Sequence, residues 1–478
     1  MLRAVAKIII CTFSFQFSLC QAQFSLDQIP EIENKQAITL VAESGFWTEH
    51  LKEKLLPKYT AHTGITVNVI TTSLDEMFTL QTNSLVKGSG KFDLLTMEAG
   101  WAKEWAANGF TVPLDELAKL YDPNGERAMK NYLEPYYPSL LNILSYHSEI
   151  HAIPYNNYVM GNHYRADLFQ HPKEKIKFSA QYGYPLAPPE NLQQLLDVSE
   201  FFTRKTGERL AGKVLEKPFY GLALMSGNRP HINDEFSSIL WSLDGYWMKP
   251  DYGNDSKLKL FELPSDNEKL KQTTHIYRKL MQYAYPADKQ FAFEEAAGAM
   301  ANGDVAMWPF AYNNLWHASF QVESNQPGAK LAVAQVPGGK PYNGAYAFAV
   351  AYDSVNPQAA YWLLKYMGSF EAQFAYASGG GNPCRIDVTT AAEFQKTELR
   401  HIGGAFMASH EANIKWSDDV LKLGHFTSTA MGNIYPELTK TSYALSRPQT
   451  NIDAEINRLN QIIIQLQNRH GEVPVVAK

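Results

Sequence analysis

The chain is poor in cysteine, in long apolar runs and in clustered positive charge, and each shortage excludes a class of protein. Three cysteines in 478 residues cannot form a disulfide scaffold, and two of them, Cys11 and Cys20, fall near the start. Only Cys384 lies further on, so a chain trimmed after Ala22 has no internal disulfide and is held by its cores alone. One apolar run, Ile8 to Leu19, is broken by Thr12, Ser14, Gln16 and Ser18 and is too short to span a bilayer. No Lys/Arg-rich run appears and the net charge is −6, which argues against a nucleic-acid binder. Charged residues make up only 19% of the chain and aromatics 13%, the reverse of a disordered composition. With 45% hydrophobic content, 478 residues are too many for one ordinary core and enough for two.

The N-terminus has the pattern of an export signal. Arg3 and Lys7 precede the apolar run, and Cys20-Gln21-Ala22 places small residues where a signal peptidase reads them. The expected signal peptide is 1–22, with cleavage after Ala22 and a periplasmic, exported product. Two alternatives compete. A retained anchor is opposed by the shortness of the run. Lipidation of Cys20 is opposed by Leu19, which is bulky where that processing prefers a small residue. Loss of the signal takes two bases and no acid, moving the net charge from −6 to −8.

Beyond it, strand and helix patterns alternate. Ala37–Ala42 reads as a strand, and apolar residues at 47, 51, 55 and 59 mark one face of a helix that stops at Gly64. Ile65, Val67 and Val69 alternate with polar residues as in a strand. Phe92–Met97 is a short apolar strand, and Trp101–Ala107 a helix closed by Asn108-Gly109. Asn356-Pro357 pairs a cap with a proline at the first helical position. Thr450 and Asp453 suggest a capping box before an amphipathic helix carrying Ile456, Leu459 and Ile463. Such strand–helix–strand units build parallel sheets covered on both faces.

Some suggestive motifs have plainer readings. His147 and His151 are four apart, the spacing of a helical zinc site, but the segment leads into Ala152-Ile153-Pro154 and reads as a strand or hairpin. Ser378-Gly379-Gly380-Gly381-Asn382 lacks the Lys and Ser/Thr of a phosphate loop and reads as a helix stop or hinge. Glu294 and Glu295 are adjacent on a helix and diverge. Cys384 has no neighbouring His, and no Gly-x-Ser-x-Gly elbow occurs. No metal, cofactor or catalytic residue is expected.

Five segments in order resemble family 1 of the bacterial extracellular solute-binding proteins, the maltose-binding-protein-like receptors. They are Phe92–Trp101 with Gly109–Asp115; Ile150–Phe169, with Ile153-Pro154-Tyr155; Phe293–Met307, with Gly298-Ala299-Met300; Pro337–Lys340 with Gly344–Val350; and Gly381–Val388, with Pro383-Cys384-Arg385. Arg165 stands where relatives have Asn after Tyr, and Ala345-Tyr346 where many have Gly-Trp. The resemblance runs from about residue 38 to the C-terminus and is weakest in His171–Pro189 and Met248–Asp266, which look like insertions.

The resemblance implies an α/β, two-lobe periplasmic-binding-protein fold with three interlobe crossings and a ligand cleft. Lobe I is expected over 37–153 plus 346–381, and lobe II over 154–342 plus 386–478. Hinges are expected near 153–160, 340–346 and 381–388. It further implies a monomeric receptor that binds a carbohydrate or polyol and serves the membrane subunits of an ABC importer. An exported carbohydrate-active enzyme, or a sensory module on the same fold, stays open as an alternative. Sugars need aromatic faces for their C–H surface, and acceptors and forked donors for their hydroxyls. Strand ends and crossings supply the candidates: Glu43, Trp47, Glu98, Trp101, Tyr155, Asn156, Trp308, Tyr312, Asn343, Gly344, Tyr346 and Arg385. Tyr158 on the first crossing, and Asp234, Glu235 and Trp241 on a helix of lobe II, are further candidates. For each, a place in the core or at a helix start is the competing role.

Overall fold

The computed structural model describes residues 24–253, 257–264, 267–396 and 400–477. The expected export segment, with Cys11, Cys20 and the cleavage position after Ala22, lies outside them.

Strand β1 (Ile38–Glu43) pairs in parallel with β2 (Val67–Thr72), Leu40 opposite Val69, and on its other side with β3 (Leu94–Glu98). Between β1 and β2 runs helix α1, residues 46–63, which widens into a π turn at Leu51–Leu55 just ahead of Pro57. Proline has no N–H and its ring crowds the carbonyl four residues back, and a wider turn accommodates both. Gly64 closes α1 in the left-handed region (φ 73°), as its place after the apolar pattern predicts. Helix α2 (Leu74–Lys87) starts on Ser73, whose side chain accepts from the Glu76 N–H.

The chain then divides between two sheets. Strands β4 (Ile153–Asn157) and β5 (Met160–Arg165) are two residues apart, yet β4 completes the first sheet and β5 joins a second. The second sheet adds β6 (Tyr220–Leu222), β7 (Val305–Tyr312) and β8 (Leu331–Ala334), in the order β6-β7-β5-β8. The chain returns to the first sheet as β9 (Ala345–Val350), giving the order β2-β1-β3-β9-β4. Every residue of β7 and β9 is buried, because helices cover both faces.

The segments that join the sheets are bonded to one another. Tyr158 N–H donates to the Gly344 carbonyl (2.8 Å), Met160 N–H to Tyr342 (3.1 Å) and Asn157 N–H to Asn382 (3.0 Å). Asn382 Nδ2 returns a bond to the Asn157 carbonyl (2.9 Å).

Asp93, buried just ahead of β3, ties strand to helix. One carboxylate oxygen accepts from the Thr39 N–H (2.8 Å), the other from Ser354 Oγ (2.6 Å) and from the N–H groups of Val355 and Asn356 (both 3.1 Å). Asn356 caps the helix Pro357–Met367, its side chain accepting from the Ala359 N–H. At the last helix, Ile452–Arg469, the cap is Asn451 rather than Thr450: Asn451 Oδ1 accepts from the Ala454 N–H (3.0 Å). His147 and Ser148 form a tight turn with positive φ (49° and 69°) between the two-residue strands Ser145–Tyr146 and Glu149–Ile150. Lys249–Tyr252 and Leu258–Leu263 form a hairpin that the terminal strand Pro474–Val476 extends in parallel.

Candidate functional site

The carboxyl ends of β1 and β3 open into one cavity of about 240 Å³. Glu43 ends β1, and Thr48 Oγ1 bonds back to its carbonyl (2.5 Å), so the chain turns at once into α1 and brings Trp47 to the cavity wall. Glu98 ends β3. A single 3-10 turn, Ala99–Trp101, then delivers Trp101 to the same wall. The Trp101 ring centroid lies 5.1 Å from that of Phe78 on α2 and 5.6 Å from that of Trp105, so its position is set from behind by aromatic packing. Tyr158, between β4 and β5, completes this side.

The facing wall comes from the second sheet and its helices. Asp234 lies in the first turn of α3 (His231–Ser242), where the helix dipole favours a carboxylate. It accepts the hydroxyl protons of Tyr312, at the end of β7, and of Tyr435, on the helix Met431–Ser446. His231 Nδ1 is 3.2 Å from the Tyr312 hydroxyl. Since that hydroxyl gives its one proton to Asp234, Nδ1 carries the hydrogen and donates to Tyr312. Tyr342, Phe426 and Phe293 close the apolar surface, and Asn314 adds a buried amide.

The electrostatics are one-sided. Burial raises the Glu98 carboxyl well above its usual range, Glu43 and then Asp234 add like-charge repulsion, and a Tyr158 hydrogen bond opposes both. Burial likewise raises Asp234, and Glu235 adds to it, while the Tyr312 bond pulls the other way. His231 is pushed down to about 3, first by burial and then by Arg229, and is neutral at physiological pH. Among the described residues, no lysine or arginine lines the cavity. Nor do three metal-ligating side chains converge anywhere among them.

The structure brings five of the twelve candidates together around this cavity: Glu43, Trp47, Glu98, Trp101 and Tyr312, with Tyr158 and Asp234 from the wider set. The other seven it places elsewhere. Tyr155 points into the first core, stacked on Tyr376 (4.6 Å) and edge-on to Phe348 (5.4 Å). Asn156 is fully buried in β4 and does not line the cavity. Trp308 sits mid-strand in β7, wholly buried and edge-on to His163 (6.0 Å). Asn343 gives its carbonyl to His425, and Gly344 gives its own to Tyr158; both serve the crossing segments. Tyr346 stands behind the wall, its hydroxyl accepting from the Glu43 N–H (2.7 Å) and its ring 6.2 Å from Trp47. Arg385 is clamped by both oxygens of Asp387 (3.0 and 2.7 Å) and lies over Tyr136 (5.3 Å), a structural role. Glu235 is bonded inside the second core by Met225 N–H and Tyr277 (both 2.8 Å), and Trp241 packs edge-on against His425 (4.8 Å).

Sequence reasoning missed Phe78, His231, Tyr342, Phe426, Met431 and Tyr435, all on the wall. Phe78, His231 and Tyr435 sit on helices, where a lining aromatic looks like any other apolar position. Phe426 is held in a left-handed conformation (φ 52°), uncommon for a bulky residue, and sequence gives no sign of it.

Two α/β bodies, joined by crossing segments and facing a cavity at strand ends, define the class of two-lobe solute-capturing proteins. The chain belongs to the bacterial extracellular solute-binding protein family, whose profile matches residues 45–374, well over half its length. Solved structures agree in fold. An ABC transporter solute-binding protein from Agrobacterium radiobacter, in complex with ribitol, superposes with a TM-score of 0.70 at 18% identity, covering 91% of this chain and 100% of that one. The GacH receptor of Streptomyces glaucescens, studied unliganded and with acarbose, gives 0.65 at 18% identity over 91% and 99%. Maltose-bound MalE3 of T. maritima gives 0.63 at 19% identity over 90% and 100%. No curated protein sequence matches the chain.

Proposed function

We propose that the chain is an exported receptor that captures a sugar or sugar-like small molecule between its lobes and delivers it to an ABC importer. The observation that carries this reading is the cavity itself: aromatic rings and carboxylates from the ends of β1, β3 and β7 face one another across it. Aromatic faces suit the C–H surface of a sugar or polyol, and carboxylates accept its hydroxyls. About 240 Å³ is at or below the small end of small-molecule sites, so a mono- or disaccharide-sized ligand fits better than a long oligosaccharide. The ribitol, acarbose and maltose bound by the structural relatives support a ligand of this kind.

In this reading the binding residues are Glu43, Trp47, Glu98, Trp101, Tyr158, Asp234 and Tyr312. The lobes divide near 153–160, 340–346 and 381–388, and a ligand touching both walls favours the closed arrangement over the open one. The protein is a monomer, carries a signal peptide over 1–22, works in the periplasm and has no catalytic step.

The test is a thermal-shift screen of the chain from residue 23 against sugars, polyols and small acids. A ligand that binds the folded state raises the melting temperature by mass action. The expected result is a clear rise with one sugar or polyol class and no breakdown of that compound. A rise only with another class sinks the sugar assignment, and turnover of the bound compound sinks the receptor reading.

A further inference from the structure

The polar side chains around the cavity offer more acceptors than donors. Three carboxyl side chains line it, and Glu98 lies within electrostatic reach of both Glu43 and Asp234. Two of the hydroxyls beside them are already spent: Tyr312 and Tyr435 donate to Asp234. Each of these tyrosines therefore turns only lone pairs to the cavity. His231 uses Nδ1–H on Tyr312, which leaves Nε2 an acceptor. A second, independent observation points the same way. Asn314 is nine-tenths buried on the wall (9% exposed), and its amide oxygen has no protein partner. A buried acceptor without a donor is costly.

The side-chain donors left over are neutral: the indoles of Trp47 and Trp101, the Asn314 amide and the Tyr342 hydroxyl. Among the described residues no lysine or arginine lines the cavity to balance the carboxylates. Burial favours the neutral, protonated form of Glu98 and Asp234, and a cationic ligand would draw them back to carboxylates by supplying the missing charge. The rings between the carboxylates suit a cation as well, since aromatic faces attract positive charge.

We propose that the ligand is a sugar or polyol bearing a basic nitrogen, held as an ammonium among Glu43, Glu98 and Asp234 with its carbon skeleton against Trp47 and Trp101. This deepens the receptor reading and rests on it. A neutral sugar offers the wall only hydroxyl donors. An ammonium offers up to three charge-assisted bonds and cancels part of the like-charge repulsion.

Matched probes differing only in the nitrogen test this by calorimetry on the chain from residue 23: sorbitol against glucamine (1-amino-1-deoxysorbitol), and glucose against glucosamine, with N-acetylglucosamine as the neutralised control. The amine is expected to bind at least about tenfold more tightly than its neutral partner, equivalent to about 1.4 kcal/mol. N-acetylation should abolish the advantage. In Asp234→Asn and Glu98→Gln the ratio should shrink toward one, whatever the absolute affinity. Equal or tighter binding of the neutral partners by the native chain overturns the inference and leaves the receptor reading intact. Failure of both series, with binding of a non-carbohydrate compound, overturns both. The native-chain ratio decides the matter even where a variant fails to fold.

Discussion

At the scale of single residues, Trp101 is the side chain to remove first. Its ring is braced by Phe78 and Trp105 and presents surface to the cavity. Trp101→Ala is expected to weaken binding of whichever sugar or polyol scores in the thermal-shift screen by about tenfold, in line with ~0.5–1.5 kcal/mol for an aromatic contact beyond buried area. Calorimetry reads this directly. Glu235 makes a separate prediction about pH. Burial pushes its carboxyl up to about 8, against the opposing bonds from Met225 and Tyr277. Its folded form therefore keeps a proton that the unfolded chain has already lost, so its contribution to stability declines as pH rises toward 8. Glu104, pushed up to about 7 by burial, acts in the same sense. The buried His163, His231 and His425 are depressed and act in the opposite sense, but only below the ordinary histidine value of 6.5. The urea midpoint should thus fall between pH 6.5 and pH 8, and Glu235→Gln should flatten that fall. A midpoint that rises over this window contradicts the assignment. Residues at strand ends were the legible ones: Glu43, Glu98 and Tyr312 follow from the rule that parallel strands aim ligand groups from their carboxyl ends. Tyr155 and Trp308 were not separable from them, because a strand alternates its faces and sequence does not say which face is the cleft.

At the scale of elements, short-range signals were legible and long-range pairings were not. Asn356-Pro357 marks its helix start correctly, since both the cap and the proline act within one turn. The hairpin in Met248–Asp266 was invisible as part of a sheet, because its third strand lies more than 200 residues away at Pro474–Val476. Asn356→Ala is expected to cost about 1–2 kcal/mol in urea unfolding, toward the upper end for a cap. Its Nδ2 also donates to the carbonyls of Asn34 and Gln36, and those bonds go too. Asp93→Ala should cost more, about 3 kcal/mol, because the Thr39 and Val355 N–H groups lose this acceptor and the Asn356 N–H keeps only Ser354 Oγ. Neither change touches the cavity, so ligand affinity in the folded fraction should stay unchanged.

At the scale of the whole molecule, the crossing segments form one bonded strap, with Asn157 and Tyr158 between Asn382 on one side and Gly344 on the other. Bending at one segment therefore loads the others, and the lobes should close as bodies. Small-angle scattering should show a smaller radius of gyration with saturating ligand than without it, and an unchanged radius contradicts closure. The terminal strand is peripheral to that motion. Truncation after Glu472, which keeps that carboxylate's bonds to Ser428 and Thr429, should speed amide exchange in Leu258–Leu263, which loses one of its two partner strands, and leave ligand affinity as it was. Cys384 gains a different meaning here. It is fully buried, burial drives its thiol well above the normal range, and no other cysteine lies beyond residue 20. A thiolate that does not form does not react. In a chain from residue 23, a single cysteine introduced at the cavity rim would thus be the sole site for a thiol-attached fluorophore. The fold comes ready to be made an optical sensor of its own ligand, with no native thiol to engineer away.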